Sequence, residues 1–330
     1  MIKKVFITGI TGFVGSHLAD FIIAEHPDVE IVGMVRWRSP KDNIRHILER
    51  ITCEYGDLTD PFSIKRILTS HQPDVIFHLA AQSYVDFSFV APIATLESNI
   101  IGTANLLESV RELKKESGYD PVIHICSSSE VYGQVREDEV PIQETNPFRP
   151  ASPYAVSKVG EDMLALQYWL SWKIKTIRTR MFTHTGPRRG DVFALSNFAK
   201  QVAAIEAGKQ ESVIKVGNLD SVRTWMDVRD AVRAYWLLVS QCEPGEVYNI
   251  GGTVTMKIGE MLEMLLKLST VFNIKVKVDP ARLRPSDVTL QIPSTEKFEK
   301  ATGWKSKISF DDTVKDTLSY WREYYAMYGK

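Results

Sequence analysis

Val5-Phe6-Ile7-Thr8-Gly9-Ile10-Thr11-Gly12-Phe13-Val14-Gly15 opens as a row of apolar and β-branched residues, the pattern of a strand buried on both faces of a parallel sheet. Glycines then fall at intervals of three, at Gly9, Gly12 and Gly15, and a helical pattern starts at once with Leu18, Phe21, Ile22 and Ala24 on one face. Strand, glycine turn and helix start together make a seat for a pyrophosphate. The first glycine permits the tight turn, the second admits phosphate oxygens close to the backbone, and the third lets helix and strand pack closely. Free amides and the helix dipole then face the anion. Glycines alone mark turns of every kind, so the strand-turn-helix context is what gives this spacing its meaning. Gly9, Thr11, Gly12, Phe13, Val14 and Gly15 are therefore read as a dinucleotide cradle, the alternative being a merely structural turn.

The rest of the chain bounds the reading. It has 330 residues, 44% hydrophobic and 25% charged, with a formal net charge of -1. That balance favours neither nucleic acid nor an anionic membrane. No apolar run reaches the roughly 18 residues of a membrane span. Cys53, Cys126 and Cys242 are scattered without CxxC spacing, and no HExxH pair occurs. Reduced thiols, no metal and a cytoplasmic setting are the expectations.

Strand and helix patterns alternate along the chain. Glu30 to Val35 is a second strand, and it ends in Arg36-Trp37-Arg38-Ser39 where an acidic residue would suit NAD. Arg36 and Arg38 offer forked donors to a 2′-phosphate, so NADP is expected, the alternative being a basic surface loop. Cys53 to Tyr55 reads as a third strand. Asp57, followed by Leu58, is placed to bind an adenine amine or to cap the helix that Pro61 begins. Asp74 to Leu79 is a fourth strand, and small Ala80 and Ala81 after Leu79 leave room for a dinucleotide at the strand ends. Thr95 to Lys115 reads as one long helix. Val122 to Ser127 is a fifth strand ending in Ser127-Ser128-Ser129-Glu130. Tyr154 and Lys158, four apart, share one helix face, where an ammonium lowers a phenol pKa for proton exchange near neutrality. Alone, that pair is an ordinary amphipathic face. Thr176 to Phe182, Ala194 to Ala207, Val247 to Ile250, Met256 to Leu268 and Phe310 to Tyr328 complete the elements.

The Thr8 to Gly15 turn, Leu79-Ala80-Ala81, the Ser128 cluster and the Tyr154/Lys158 pair together resemble the extended short-chain dehydrogenase/reductase family over essentially the whole chain. Within it, Gly33-Met34-Val35-Arg36, Tyr55 to Asp60, Ala81-Gln82-Ser83-Tyr84-Val85 and Pro187-Arg188-Arg189-Gly190 are similar to the GDP-mannose 4,6-dehydratases. Phe198-Ala199-Lys200-Gln201, Val216-Gly217-Asn218-Leu219 and Asp227-Val228-Arg229-Asp230 are more similar to the GDP-4-keto-6-deoxy-mannose reductases.

The resemblance implies a doubly wound Rossmann sheet with a smaller, discontinuous C-terminal substrate domain. Residues 1–181 and 219–252 would bind NADP, and 182–218 and 253–330 the sugar nucleotide. It implies dehydration of GDP-mannose, with reduction of the 4-keto sugar or epimerisation as alternatives. Ser128, Glu130, Tyr154 and Lys158 become the implied catalytic set, and Ser83, Thr183, Arg188, Asn197, Arg223, Arg284 and Asp287 the implied substrate contacts. Ser128 stands where threonine is usual, Thr183 where asparagine is common, and Asn197 near a usual lysine. A homodimer or homotetramer is expected, with Thr95 to Lys115 and Tyr154 to Trp172 pairing with a second copy.

Overall fold

The computed structural model describes residues 2–283 and 290–328. Its centre is a seven-stranded sheet built from β1 (Lys4–Thr8), β2 (Glu30–Val35), β3 (Thr52–Tyr55), β4 (Val75–His78), β5 (Val122–Ser128), β6 (Thr176–Met181) and the strand Val247–Ile250. From one edge the order is Val247–Ile250, β6, β5, β4, β1, β2, β3, and every neighbouring pair is parallel. The order reverses between β1 and β4, so connections leave their C-terminal ends in opposite directions and open a crevice there. Apolar runs fill both faces, as two-sided burial requires. Val5 and Ile7 pack on one side with Leu18, Ile22 and Tyr235, while Phe6 packs on the other with Ile76, Leu106 and Ile123.

A separate apolar core gathers Leu195, Phe198, Trp225, Met261, Leu265, Phe310 and Trp321. It unites the helices Ala194–Glu206, Ile258–Lys267 and Phe310–Tyr328 with the strands Val213–Val216 and Val222–Asp227. This layer overhangs the C-terminal ends of the main sheet and closes the crevice from above.

Local chemistry corrects two expectations. The helix expected over 95–115 is three pieces: Pro92–Leu96, a wide π turn over Glu97–Ile101, and Gly102–Ser117. Fully buried Asn99 sits in the π turn. Its Nδ2 donates to the Gln82 carbonyl at 3.0 Å and to Ser157 Oγ at 2.8 Å, and its Oδ1 accepts from the Gln82 amide at 2.8 Å. These bonds reward the extra residue in the turn. The helix Pro61–His71 is capped by Asp60, whose Oδ1 accepts from the Phe62 amide at 3.1 Å. Asp57 instead folds onto Thr59, accepting from its amide at 2.9 Å and its hydroxyl at 2.8 Å.

The helix Pro153–Trp172, which carries Tyr154 and Lys158, starts at Ser152, whose Oγ accepts from the Ala155 amide at 3.0 Å. Asp162 pins it to β6, accepting from Arg178 Nη1 at 3.0 Å and Arg180 Nε at 2.9 Å, all three side chains being buried.

Candidate functional site

At the glycine turn, Gly9 has φ +74° and lies against Ala80, where a Cβ would stand 3.0 Å from the Ala80 backbone. A Cβ on Gly15 would lie 2.3 Å from the Gly9 carbonyl oxygen. The first position therefore needs the left-handed region and the third needs no side chain at all. The helix α1 (Phe13–Glu25) begins at Gly12 with no side-chain cap, which leaves its first amides to a ligand.

Thr8 ties β1 to β4 beside this turn. Its Oγ1 accepts from the amides of Leu79 and Ala80, each at 3.1 Å, so its own proton goes to His78 Nδ1 at 3.0 Å. His78 Nε2 then donates to Thr103 Oγ1 at 3.0 Å, and Thr103 passes its proton to the Asn99 carbonyl at 2.7 Å. Burial, helped by the Lys158 charge, lowers the His78 pKa to about 3, so this hub stays neutral.

A cavity of about 1060 Å³ occupies the crevice. The cradle residues line it, as do Arg36, Asp57, Leu58, Leu79, Ala80, Ala81, Ser83, Ser128, Glu130, Tyr154, Lys158, Thr183, Asn197 and Arg223. Ser128 ends β5, and its Oγ accepts from the Glu130 amide at 3.2 Å, which turns the following residues into a short 3₁₀ helix, Ser129–Tyr132. Burial raises the Tyr154 pKa, while the Lys158 charge and a hydrogen bond from Ser128 pull it back. The expected depression of the phenol by lysine is thus present but outweighed by desolvation. Lys158 Nζ donates to the Cys126 carbonyl and to Glu161 Oε2, each at 2.9 Å. Burial opposes its charge, but Glu161 and Tyr154 more than offset this and raise its pKa. Burial also pushes the Glu161 carboxyl up to about 7 against the pull of Lys158.

Other expected residues lie elsewhere. Arg188 is absent from the cavity lining: it has φ +68°, and its Nη1 pairs with Asp20 at 2.7 Å. Its neighbour Arg189 turns inward, its guanidinium 3.6 Å from the Phe193 ring centre and 4.9 Å from that of Phe13. Arg38 is exposed, 5.5 Å from the Trp37 ring, and also outside the lining. Asn197 is held by Arg282, which donates to its Oδ1 at 2.6 Å, and both line the cavity. Arg284 and Asp287 fall outside the described residues. Sequence reasoning did not select Arg189, His184, Arg282 or Gln291, which line the same cavity. His184 stacks on Phe13 with ring centres 5.9 Å apart. The arginine doublet signalled Arg189, but only the backbone turn decides which of the two points inward.

A parallel seven-stranded sheet with a glycine cradle after β1, and a serine and a Tyr-x-x-x-Lys helix at the adjoining strand ends, defines the extended short-chain dehydrogenase/reductase class. A family model described as GDP-mannose 4,6 dehydratase matches residues 6–317. The chain belongs to that family. It is 34% identical over 321 residues to a GDP-6-deoxy-D-mannose reductase of Pseudomonas aeruginosa, covering 97% of this chain and 98% of the relative. It is 33% identical over 359 residues to a GDP-mannose 4,6-dehydratase of Vibrio cholerae serotype O1, covering 97% and 94%. Among solved structures, a Pseudomonas aeruginosa RMD complexed with NADPH superposes with a TM-score of 0.83 at 32% identity, covering 98% of this chain and 99% of that one.

Proposed function

We propose that this protein is an NADP-dependent GDP-mannose 4,6-dehydratase, converting GDP-D-mannose to GDP-4-keto-6-deoxy-D-mannose. The observation that carries this reading is Glu130, a carboxylate lining the same cavity as Ser128, Tyr154 and Lys158. Reduction of a ketone needs the last three alone, whereas loss of water across C5 and C6 needs a base for the C5 proton; reductases of this group can also carry a glutamate here, so the test below turns on what Glu130 does.

The cradle fits the cofactor: uncapped amides at α1 receive the pyrophosphate, Arg36 stands at the end of β2 for the 2′-phosphate, and Arg189 flanks Phe13. Held there, NADP would supply the hydride chemistry, an acceptor for oxidation at C4 and a donor for reduction at C6. Tyr154 Oη takes the C4 hydroxyl proton, and Ser128 Oγ hydrogen-bonds the C4 oxygen. Lys158, whose charge pulls the Tyr154 pKa back against burial, would steady the phenolate as it forms and hold the cofactor ribose. Glu130 removes the C5 proton that the C4 ketone has acidified and hands it to the departing C6 hydroxyl, which leaves as water; a proton from solvent then adds to C5 as C6 is reduced, and Tyr154 releases to solvent the proton it took from O4. Arg223, Asn197, Thr183 and Ser83, which line the cavity, would hold the sugar nucleotide. The segments 1–181 and 219–252 serve as the cofactor domain and 182–218 with 253–330 as the substrate domain, except that the strand Val222–Asp227 packs in the core of the substrate layer.

Similarity to the Pseudomonas reductase favours a second reading, reduction of the 4-keto sugar with one NADPH consumed. One experiment separates them. A dehydratase turns over GDP-mannose without added NADPH, shows no net change at the nicotinamide absorbance band, and places solvent deuterium at C5. Glu130→Gln should permit C4 oxidation yet cut turnover by about a hundred- to ten-thousand-fold. Untouched GDP-mannose, with stoichiometric NADPH oxidation on the 4-keto sugar, would establish the reductase instead.

The protein is further proposed to work in the cytoplasm as a dimer. Val156, Met163 and Leu170 recur at heptad spacing on the exposed side of the helix Pro153–Trp172, beside exposed Val90, Ile93 and Ile101. That stripe suits a second copy packed helix to helix. A single monomeric species in ultracentrifugation at micromolar concentration would count against it.

A further inference from the structure

Gln291 belongs to none of the motifs above, yet it faces the cavity while its residue is only 2% exposed. It ends the two-residue strand Leu290–Gln291, which runs parallel to Val222–Asp227 with Gln291 opposite Arg223. The backbone just beyond it is fastened to Ile142: the Ile142 amide donates to the Ile292 carbonyl and the Ser294 amide to the Ile142 carbonyl, each at 2.8 Å. The side chain therefore projects from a fixed base.

Both ends of its amide are engaged. Nε2 donates to Glu130 Oε1 at 3.3 Å, and Oε1 accepts from Ser129 Oγ at 3.1 Å. A carboxylate only accepts hydrogen bonds, so it must meet the NH₂ end, and the Ser129 hydroxyl serves the oxygen end. The orientation of the amide is thus set by its two partners. Glu130 itself rides on a single 3₁₀ turn, Ser129–Tyr132, where a side chain with several rotatable bonds has many positions open to it. A base that strays by about 1 Å from its proton forfeits on the order of a hundredfold in rate.

We infer that Gln291 is a positioning residue: it reaches across from the C-terminal segment and holds the Glu130 carboxylate in place for removal of the C5 proton. The inference rests on the dehydratase reading for its chemistry, but the Gln291–Glu130 pair stands independently of it. The pairing also links two tasks. Arg223, proposed above to hold the sugar nucleotide, is in register with Gln291 and lines the same cavity, while Gln291 bonds the base. A shift of one strand against the other would disturb both.

The test uses Gln291→Leu, which keeps a buried side chain of comparable bulk at the site and removes both the donor and the acceptor. With GDP-mannose, C5 deuterium uptake and turnover should fall about ten- to a hundredfold, while KM changes less than about threefold and C4 oxidation, read as reduced enzyme-bound cofactor in a single turnover, persists. Ser129→Ala should cause a smaller loss in the natural background and none on top of Gln291→Leu, because it acts only through the amide. Turnover of Gln291→Leu within twofold of the natural protein, or a rise in KM with unchanged kcat, overturns the assignment. So does a Ser129→Ala loss that adds in full. If the natural protein leaves GDP-mannose untouched, the dehydratase reading fails, and the pair is judged on the unliganded protein. There, infrared difference titration with Glu130→Gln as the blank should show the Glu130 carboxyl protonating about one pH unit higher in Gln291→Leu. An unmoved midpoint refutes the pairing.

Discussion

His78→Gln should produce a stability deficit that disappears in acid. His78 is buried, receives a hydrogen bond from Thr8 and donates one to Thr103. Losing that geometry strands part of a buried network, at a cost of about 2–3 kcal/mol near pH 7.5. The pH dependence follows from protonation. Burial holds the folded-state pKa at about 3, against an ordinary value of 6.5. Between those values the unfolded chain binds a proton that the native protein refuses, so stability contributed by neutral His78 is present above pH 6.5 and is lost as pH falls. The limiting slope is about 1.4 kcal/mol per pH unit, and integration from pH 7.5 to 5 gives about 2 kcal/mol. Glutamine does not titrate and escapes this loss. The difference between natural protein and variant should therefore shrink from about 2–3 kcal/mol at pH 7.5 to within about 1 kcal/mol at pH 5. Urea unfolding followed by circular dichroism at several pH values measures it, provided the denaturant slopes agree. A difference that stays constant across the range would refute the neutral-hub account, because His78 would then have to titrate alike in both states.

Three further outcomes follow from the geometry. Arg36→Asp should weaken NADP binding by about ten- to a hundredfold in calorimetry, the loss of a charge-assisted contact, with NAD much less affected. Arg223→Ala should raise KM for the sugar nucleotide by a similar factor and leave cofactor affinity within about twofold, and equal affinity for the sugar nucleotide would remove Arg223 from that wall. Asp162→Ala strands Arg178 and Arg180 in the interior, so chemical denaturation should register a loss of about 3–5 kcal/mol.

What could be read from the chain was local. The strand, the glycines and the first helix lie within 25 residues of the start, and each glycine serves a neighbour a few positions away, as Gly15 does against the Gly9 carbonyl. The edges of β2 and of the Val247–Ile250 strand coincide with the apolar runs that predict them, because a strand buried on both faces writes its length directly into composition. Side-chain choices among adjacent polar residues were not written that way. Asp60, not Asp57, caps the helix Pro61–His71, as its place directly before Pro61 allows, while Asp57 is turned away onto Thr59 by a bond that its acidic type alone does not announce. Arg188 and Arg189 are chemically equal until the left-handed backbone at Arg188 sends one to Asp20 and the other to Phe13.

Gln291 marks the limit more sharply. It stands 161 positions from Glu130, in a two-residue strand too short to leave a periodic signal, and glutamine announces no chemistry of its own. Its significance arises only because the overhanging layer returns to the sheet beside Ile142 and delivers an amide to a carboxylate. Groups that make or break bonds advertise themselves by type and spacing; groups that aim them are ordinary residues made important by where the chain returns. Substitutions at such returning segments should therefore alter rate more than binding, and that signature distinguishes Gln291 from the arginine it faces in register.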